Sequence, residues 1–165
     1  LADLPGLMPR DEVLVCGQYE AGEGYTYLPF QPYHRDRRDA LMQREHAARH
    51  SRGDLLVFCH DDHKPAPDFF EVLRSKQRQV GWDLLIPKRV HALTGEELDN
   101  GREEDYMGGH CLVMRRWLWA EMPWTEISTE YWDTTMTRLW RHAGGKLVWD
   151  NDLVHYDMEA GAHEK

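Results

Sequence analysis

Short apolar runs alternate along the chain with stretches whose apolar residues recur at helical spacing. Apolar or alternating runs predict strands at residues 12–17, 25–30, 55–59, 83–87, 111–114, 146–149 and 152–156. Apolar positions with helical spacing predict helices at residues 39–50, 68–80, 117–122 and 131–143. Strands that alternate with helices are typical of an α/β fold in which helices flank a mostly parallel mixed sheet. We therefore predict a single compact domain over residues 1–165, with irregular termini at 1–11 and 158–165.

Composition and charge exclude several classes of function. The formal net charge is −9 and no block of basic residues occurs, which is evidence against broad electrostatic binding to nucleic acid. No stretch approaches the roughly 20 apolar residues that a membrane span needs, so we expect no transmembrane segment. The first residues do not resemble a secretory signal, so we expect none. Cys16, Cys59 and Cys111 lie in predicted strands without paired spacing, which predicts reduced, buried thiols and a cytoplasmic location.

The most informative segment is His60-Asp61-Asp62-His63, which directly follows the apolar run of residues 55–59. The pattern predicts a buried strand whose carboxyl end opens onto a polar site, the usual place for ligands in α/β sheets. Two adjacent carboxylates repel each other unless a cation or hydrogen bonds offset their charge. A divalent metal ion is the simplest explanation, and the alternative is a turn that the two acids merely cap.

The chain resembles the family 2 glycosyltransferases with the GT-A fold, over about residues 12–155. Four segments carry the resemblance in order along the chain. They are Val13-Leu14-Val15-Cys16; Arg44-Glu45 followed by Gly53-Asp54 and residues 55–62; Gly108-Gly109 followed by residues 111–116; and Trp132-Asp133-Thr134-Thr135 followed by Arg138 and Gly145. The resemblance implies a GT-A-like, Rossmann-like domain that binds a nucleotide-activated sugar.

The resemblance also implies a metal site at the acidic segment. Asp62 would be a metal ligand, and Asp61 would face the metal or the ribose of the nucleotide. His155 would complete the metal shell, with a structural histidine as the alternative, and His60 and His63 are weaker candidates. Carboxylate oxygens suit Mg²⁺ or Mn²⁺, and an imidazole ligand favours Mn²⁺.

Asp133 is the candidate catalytic base by the same resemblance. Inverting sugar transfer needs a carboxylate that takes the proton from the attacking hydroxyl group of the acceptor. The alternative is an ordinary acid in the first helical turn, favoured by the helix dipole. Glu130, just before it in the chain, is the second candidate.

The remaining predicted contacts concern the donor. Tyr19 and Glu20 resemble the loop that binds the nucleobase, and Arg44 would neutralise phosphate charge. Gly108 and Gly109 would let the backbone approach the sugar closely. For each of these, a surface turn, a solvated helix face or a plain turn is the open alternative.

The resemblance thus implies a metal-dependent glycosyltransferase that inverts the anomeric centre. Its partners would be a nucleotide-sugar donor and a hydroxyl acceptor, which could be a glycan, a lipid carrier, a protein or modified DNA. A metal-dependent phosphoesterase is one alternative, because His-Asp-Asp-His also resembles hydrolase metal sites. A non-catalytic domain that binds a nucleotide or glycan is another, because Trp132 stands where the family usually has an acid. The oligomeric state stays open.

Overall fold

Most of the predicted apolar runs are strands of one mixed sheet in the computed structural model, which describes residues 4–17, 25–30, 37–102, 106–124 and 132–158. The strands are β1 (Leu14–Gly17), β2 (Thr26–Pro29), β3 (Leu55–Cys59), β4 (His63–Pro65), β5 (Leu84–His91), β6 (Glu97–Leu98), β7 (Cys111–Arg115) and β8 (Leu147–Asp157). The helices are α1 (Arg37–His50), α2 (Phe69–Gln77), α3 (Arg116–Glu121) and α4 (Trp132–His142). The predicted α/β class is confirmed at this level.

The direction of the strands differs from the prediction. The six-stranded sheet has the order β3-β7-β5-β8-β4, with β6 paired to β5. Among its described strand pairs only β5–β8 is parallel, and the others are antiparallel. The prediction of a mostly parallel sheet is therefore wrong. β5 and β7 are joined through β6 instead of a crossover helix, and antiparallel neighbours need no crossover.

The last strand joins two predicted strands into one. Residues 147–157 run alongside β5, with a shift of register between Pro87 and Lys88. Asp150 stabilises the irregular stretch, since its Oδ1 accepts hydrogen bonds from the backbone amides of Asp152 (2.9 Å) and Leu153 (3.1 Å). Beyond this stretch β8 continues to Asp157 and pairs with β4 on its other side. The bulge therefore lets a single strand carry His155 and Asp157 to the end of β3, where the acidic segment begins.

Both faces of the sheet are covered. β5 shows the alternation, because Leu84 and Ile86 belong to one buried cluster and Leu85 to the other. Helices α1, α3 and α4 pack on the first face, where Trp140 of α4 is fully buried. Helix α2 packs on the second face through Phe69 and Leu73. The predicted flanking by helices is confirmed.

No helix in the described ranges is long and apolar enough to pass through a bilayer. The cytoplasmic location stays a prediction. The predicted burial of all three thiols is wrong for Cys59, which is exposed at the end of β3, whereas Cys111 is buried and Cys16 is partly buried.

Candidate functional site

The acidic segment forms a tight turn between β3 and β4. The amide of His63 donates to the carbonyl of His60 (3.2 Å), which closes the turn. The amide of His60 in turn donates to the carbonyl of His110 (3.0 Å), which anchors the turn to the residue preceding β7. The predicted position at the end of a strand is confirmed, although β3 lies at an edge of the described sheet.

Four imidazoles from different parts of the chain gather at this turn. We call His60, His63, His110 and His155 the histidine cluster. The ring centroids of His63 and His110 lie 4.9 Å apart, and those of His63 and His155 lie 5.0 Å apart. His60 lies 5.7 Å from His110 and 6.1 Å from His63. Pairing of β4 with β8 brings His155 beside the turn, because His155 is opposite Pro65 in the register.

Two carboxylates lie beside His63. Oδ1 of Asp62 is 3.6 Å from Nε2 of His63 and 3.9 Å from Nδ1 of His60. Oδ2 of Asp157 is 3.8 Å from Nε2 of His63, and Arg89 binds that same carboxylate oxygen, with its Nε at 3.0 Å. These carboxylate–imidazole distances exceed those of ordinary hydrogen bonds. The acids therefore surround the imidazole of His63 without bonding to it directly.

Among the residues that the structure describes, several polar atoms of the site are buried and have no hydrogen-bond partner. They are both ring nitrogens of His155, Nδ1 of His63 and Oδ1 of Asp62. His155 is only 1% exposed, so bulk solvent does not reach its ring freely. Leaving such an atom unpaired typically costs about 1–3 kcal/mol, and buried polar atoms in native proteins nearly always bind protein, water or an ion. Their concentration in one cluster is therefore evidence for a ligand-binding site.

The imidazoles of the cluster are neutral at pH 7. Burial is the main cause that lowers the pKa of His60 to about 3, of His110 to about 4 and of His155 to about 3. The charge of Arg44 lowers the pKa of His60 further. Burial also lowers the pKa of His63, against the opposing effect of Asp62 and Asp157. Neutral imidazole is the form that binds metal ions.

These lowered pKa values predict that acid destabilises the metal-free protein. Between pH 6.5 and about 3 the unfolded chain binds a proton at His155 that the folded chain excludes, so the free energy of unfolding falls as pH falls. From pH 7 to pH 5 we expect His155 to account for a loss of about 2 kcal/mol. Urea denaturation with a chelator present should show a smaller loss in His155→Leu than in the wild type. His142→Gln, which removes an exposed histidine of α4, is the control, and equal losses in wild type and His155→Leu would contradict the assignment.

Arg44 of α1 is a buried cation next to the cluster. Its Nη2 donates to the carbonyl of Gly109 and to Nε2 of His60, so the proton of His60 lies on Nδ1, towards Asp62. Its guanidinium lies 5.0 Å from the ring centroid of Trp132 and 5.6 Å from that of Trp124. Burial lowers its pKa to about 10. Its Nη1 has no partner, and no carboxylate in the described ranges pairs with it, so Arg44 is suited to interact with an anion.

The neighbouring Glu45 fixes the position of the tryptophan side chain that packs against Arg44. It is 2% exposed and accepts hydrogen bonds from Nε1 of Trp119 (2.9 Å), the amide of Trp124 (3.2 Å) and Nε of Arg49 (2.7 Å). Glu45 thereby holds Trp124, whose ring contacts Arg44, so its role is structural.

Gly108 and Gly109 are required by packing inside the protein. A Cβ atom on Gly108 would lie 2.8 Å from the carbonyl oxygen of Asn100, and one on Gly109 would overlap the ring of Trp132. The close neighbours of both glycines in the structure are protein atoms. Contact with a sugar stays a prediction.

The packing at Gly109 gives a test of this arrangement. Gly109→Ala should lower the free energy of unfolding by about 1–3 kcal/mol, the usual range for overpacking. The added methyl group would displace Trp132 from Arg44. Urea denaturation measures the effect. Gly53→Ala is the milder comparison, with a smaller expected loss, because its Cβ atom would make a tight contact of 3.2 Å with the carbonyl oxygen of Leu55 but no overlap. Equal stability of Gly109→Ala and wild type would show that Trp132 is not fixed there.

Asp133 lies in the first turn of α4. Its Oδ1 accepts a hydrogen bond from the amide of Thr134 (2.7 Å), as expected for an acid that stabilises a helix start. The preceding Trp132 packs on Gly109 and Arg44, so this end of α4 lies beside the histidine cluster. The role of Asp133 as a base stays a prediction, and Tyr19, Glu20 and Glu130 lie outside the described residues.

The structure thus brings together most of the predicted polar residues and adds others. Asp62, His60, His63, His155 and Arg44 meet at one end of the sheet, while Asp61 is exposed on the turn. Sequence reasoning missed Asp157 and Arg89. The sequence contains one indication that Asp157 belongs to the site, because Asp157 alternates with Leu153 and His155 on the buried side of β8. It contains no such indication for Arg89, whose position depends on the pairing of β5 with β8.

The structure brings possible metal-binding side chains near one another, but it does not arrange them as a coordination shell. Within the described ranges, no group of three or more histidine, cysteine or acidic side chains is arranged to hold a metal ion. A shallow surface cavity of about 360 Å³ is lined by Pro9–Val13, Tyr25, Thr26 and Arg52, so it does not include the cluster. Comparison of the chain with models of known protein families and with curated proteins gave no match to either.

Proposed function

We propose that the chain is a metal-dependent glycosyltransferase with a GT-A-like fold, which moves a sugar from a nucleotide-diphosphate donor to a hydroxyl acceptor with inversion. The observation that carries the proposal is the set of unpartnered, buried atoms of Asp62, His63 and His155 at the end of β3. A carboxylate and two neutral imidazoles are donors suited to a divalent transition metal. The resemblance of the motif segments supplies the reaction class.

Asp62, His63 and His155 would hold the metal, after side-chain rotations that bring their donor atoms together. The donor set favours Mn²⁺ over Mg²⁺, because Mg²⁺ binds imidazole poorly compared with oxygen. When bound, the metal would supply Lewis-acid stabilisation of the negative charge on the leaving diphosphate. Asp157, fixed by Arg89, would keep negative charge beside His63.

The other residues would bind and orient the substrates. Arg44 would stabilise anionic charge near the turn, through its buried guanidinium. Asp133 would accept the proton of the acceptor hydroxyl group as it attacks the anomeric carbon. Tyr19 and Glu20 would contact the nucleobase, and Gly109 would hold Trp132 beside the sugar.

A metal-dependent phosphoesterase is the second candidate, and one observation favours it. Hydrolase metal sites take their ligands from the ends of several strands. The same is true of this cluster: His63 lies in β4, His110 directly precedes β7, and β8 contains His155 and Asp157. The cluster therefore contains candidate metal ligands from three different strands or their ends.

One experiment separates the candidates. Protein with Mn²⁺ is mixed with a panel of nucleotide sugars and, separately, with p-nitrophenyl phosphate, and released nucleoside diphosphate and nitrophenol are measured. Slow release of nucleoside diphosphate, even without acceptor, supports the transferase. Cleavage of the phosphate ester alone supports the phosphoesterase. Saturable binding of a nucleotide sugar without turnover would contradict both enzymes and favour a binding domain.

A further inference from the structure

Two cysteines face each other across the strands that carry the histidine cluster. Cys59 is the last residue of β3, Cys111 is the first of β7, and the register of the antiparallel pair places them directly opposite. Neither is in a disulfide. Cys59 precedes His60 and Cys111 follows His110, so the thiols lie at the base of the cluster.

The hydrogen-bond pattern defines the geometry of this cysteine pair. The bond from the amide of His60 to the carbonyl of His110 (3.0 Å) makes residues 60 and 110 a hydrogen-bonded pair. Because the two kinds of pair alternate along antiparallel strands, Cys59 and Cys111 form a non-hydrogen-bonded pair, with Cα atoms about 4.5 Å apart. That separation is within the range of natural disulfides, which begins at about 4.4 Å.

The two thiols differ in access. Cys59 is exposed, and its Sγ lies 3.5 Å from the carbonyl oxygen of His63, to which it donates weakly. Cys111 is 1% exposed. A hydrogen bond with Cys59 is the main cause that raises the pKa of Cys111, and burial is the second. An external oxidant would therefore meet Cys59 first, and Cys111 would resolve the product.

We propose that Cys59 and Cys111 form a reversible disulfide, which makes the base of the histidine cluster a redox-modification site. This inference does not rest on the proposed transferase activity. With glutathione disulfide as the oxidant, the Cys59 thiolate attacks one of its sulfurs and releases one glutathione thiolate. Cys111 then gives its proton to the released glutathione thiolate and attacks the Cys59 sulfur of the mixed disulfide, which releases the second. The protein loses two thiol protons and two electrons, and both glutathione molecules leave as thiols.

The disulfide would stabilise the fold and fix the two strand ends. It would close a loop of about 50 residues, and constraining the unfolded chain in this way should raise the melting temperature by roughly 5–10 °C. It would also fix the separation of the backbone segments that carry His60 and His110.

The test uses the purified chain equilibrated in glutathione redox buffers. Thiol titration should show the loss of two thiols, and peptide mapping by mass spectrometry should identify a Cys59–Cys111 cross-link that dithiothreitol reverses. Cys59→Ser, an exposed substitution, should abolish the cross-link and the rise in melting temperature. Cys16→Ser is the matched control and should retain both. A stable glutathione adduct at Cys59, a cross-link to Cys16, or three persisting thiols would overturn the proposal.

Discussion

Asp62→Ala should abolish the Mn²⁺-dependent binding of a nucleoside diphosphate. Oδ1 of Asp62 is a buried oxygen without a hydrogen-bond partner, between the rings of His60 and His63. Loss of a residue that only supports a metal ligand already weakens binding 10–100-fold, so removing the ligand itself should cost at least about 100-fold. Isothermal titration calorimetry with UDP and GDP, with Mn²⁺ and with a chelator, measures the change.

Asp54→Ala is the matched control for this experiment. Asp54 is exposed and immediately precedes β3, so the substitution removes the same charge from the opposite end of the strand. We expect its affinity to equal that of the wild type. If Asp62→Ala and Asp54→Ala bind the nucleotide equally well with Mn²⁺, Asp62 is not a metal ligand and the proposed metal site is wrong.

Local pattern predicted the elements of the fold but not their pairing. The apolar run of residues 55–59 and the stripe of Met136 and Trp140 report burial directly, so β3 and α4 were found close to their observed bounds. Strand direction depends on which strands become neighbours. The polar residues of β4 and β6 give no strand signal, so the antiparallel pairs that these two strands form could not be derived.

From the residue pattern alone, without the resemblance, the candidate site was predictable only where its residues are adjacent in sequence. His60, Asp62 and His63 share one turn, and their composition identified them. His155 came from the resemblance, and its contact with His63 depends on the pairing of β4 with β8. Asp157 and Arg89 join the site through the register of β5 and β8, which shifts after Pro87. The polar residues Asp150 and Asn151 mark this irregular stretch in the sequence, but they do not indicate which residues of β5 lie opposite the part of β8 beyond it.

The two glycines illustrate a different limit. The sequence predicts that the backbone at Gly108 and Gly109 approaches a sugar closely, with a plain turn as the alternative, because glycine lacks a Cβ atom. It did not identify the neighbour, which is the carbonyl of Asn100 for Gly108 and the ring of Trp132 for Gly109. A site that a ligand approaches closely and a site that protein atoms approach closely both require glycine, so the sequence does not distinguish them.

Asp133→Asn should reduce sugar transfer by about 10²–10⁴-fold while leaving donor binding unchanged, the usual scale for loss of a general base. An asparagine oxygen can still accept the hydrogen bond from the amide of Thr134, so the start of α4 should persist. The substitution therefore tests the basicity of the carboxylate separately from its structural role. Initial rates of transfer and the donor dissociation constant are measured for wild type and variant.

The control removes a carboxylate by the same chemical change elsewhere. Glu121→Gln alters an exposed acid at the end of α3 and should transfer sugar at the wild-type rate. Full transfer by Asp133→Asn would leave the carboxylate with its helix-start role alone, and the base would have to be another residue.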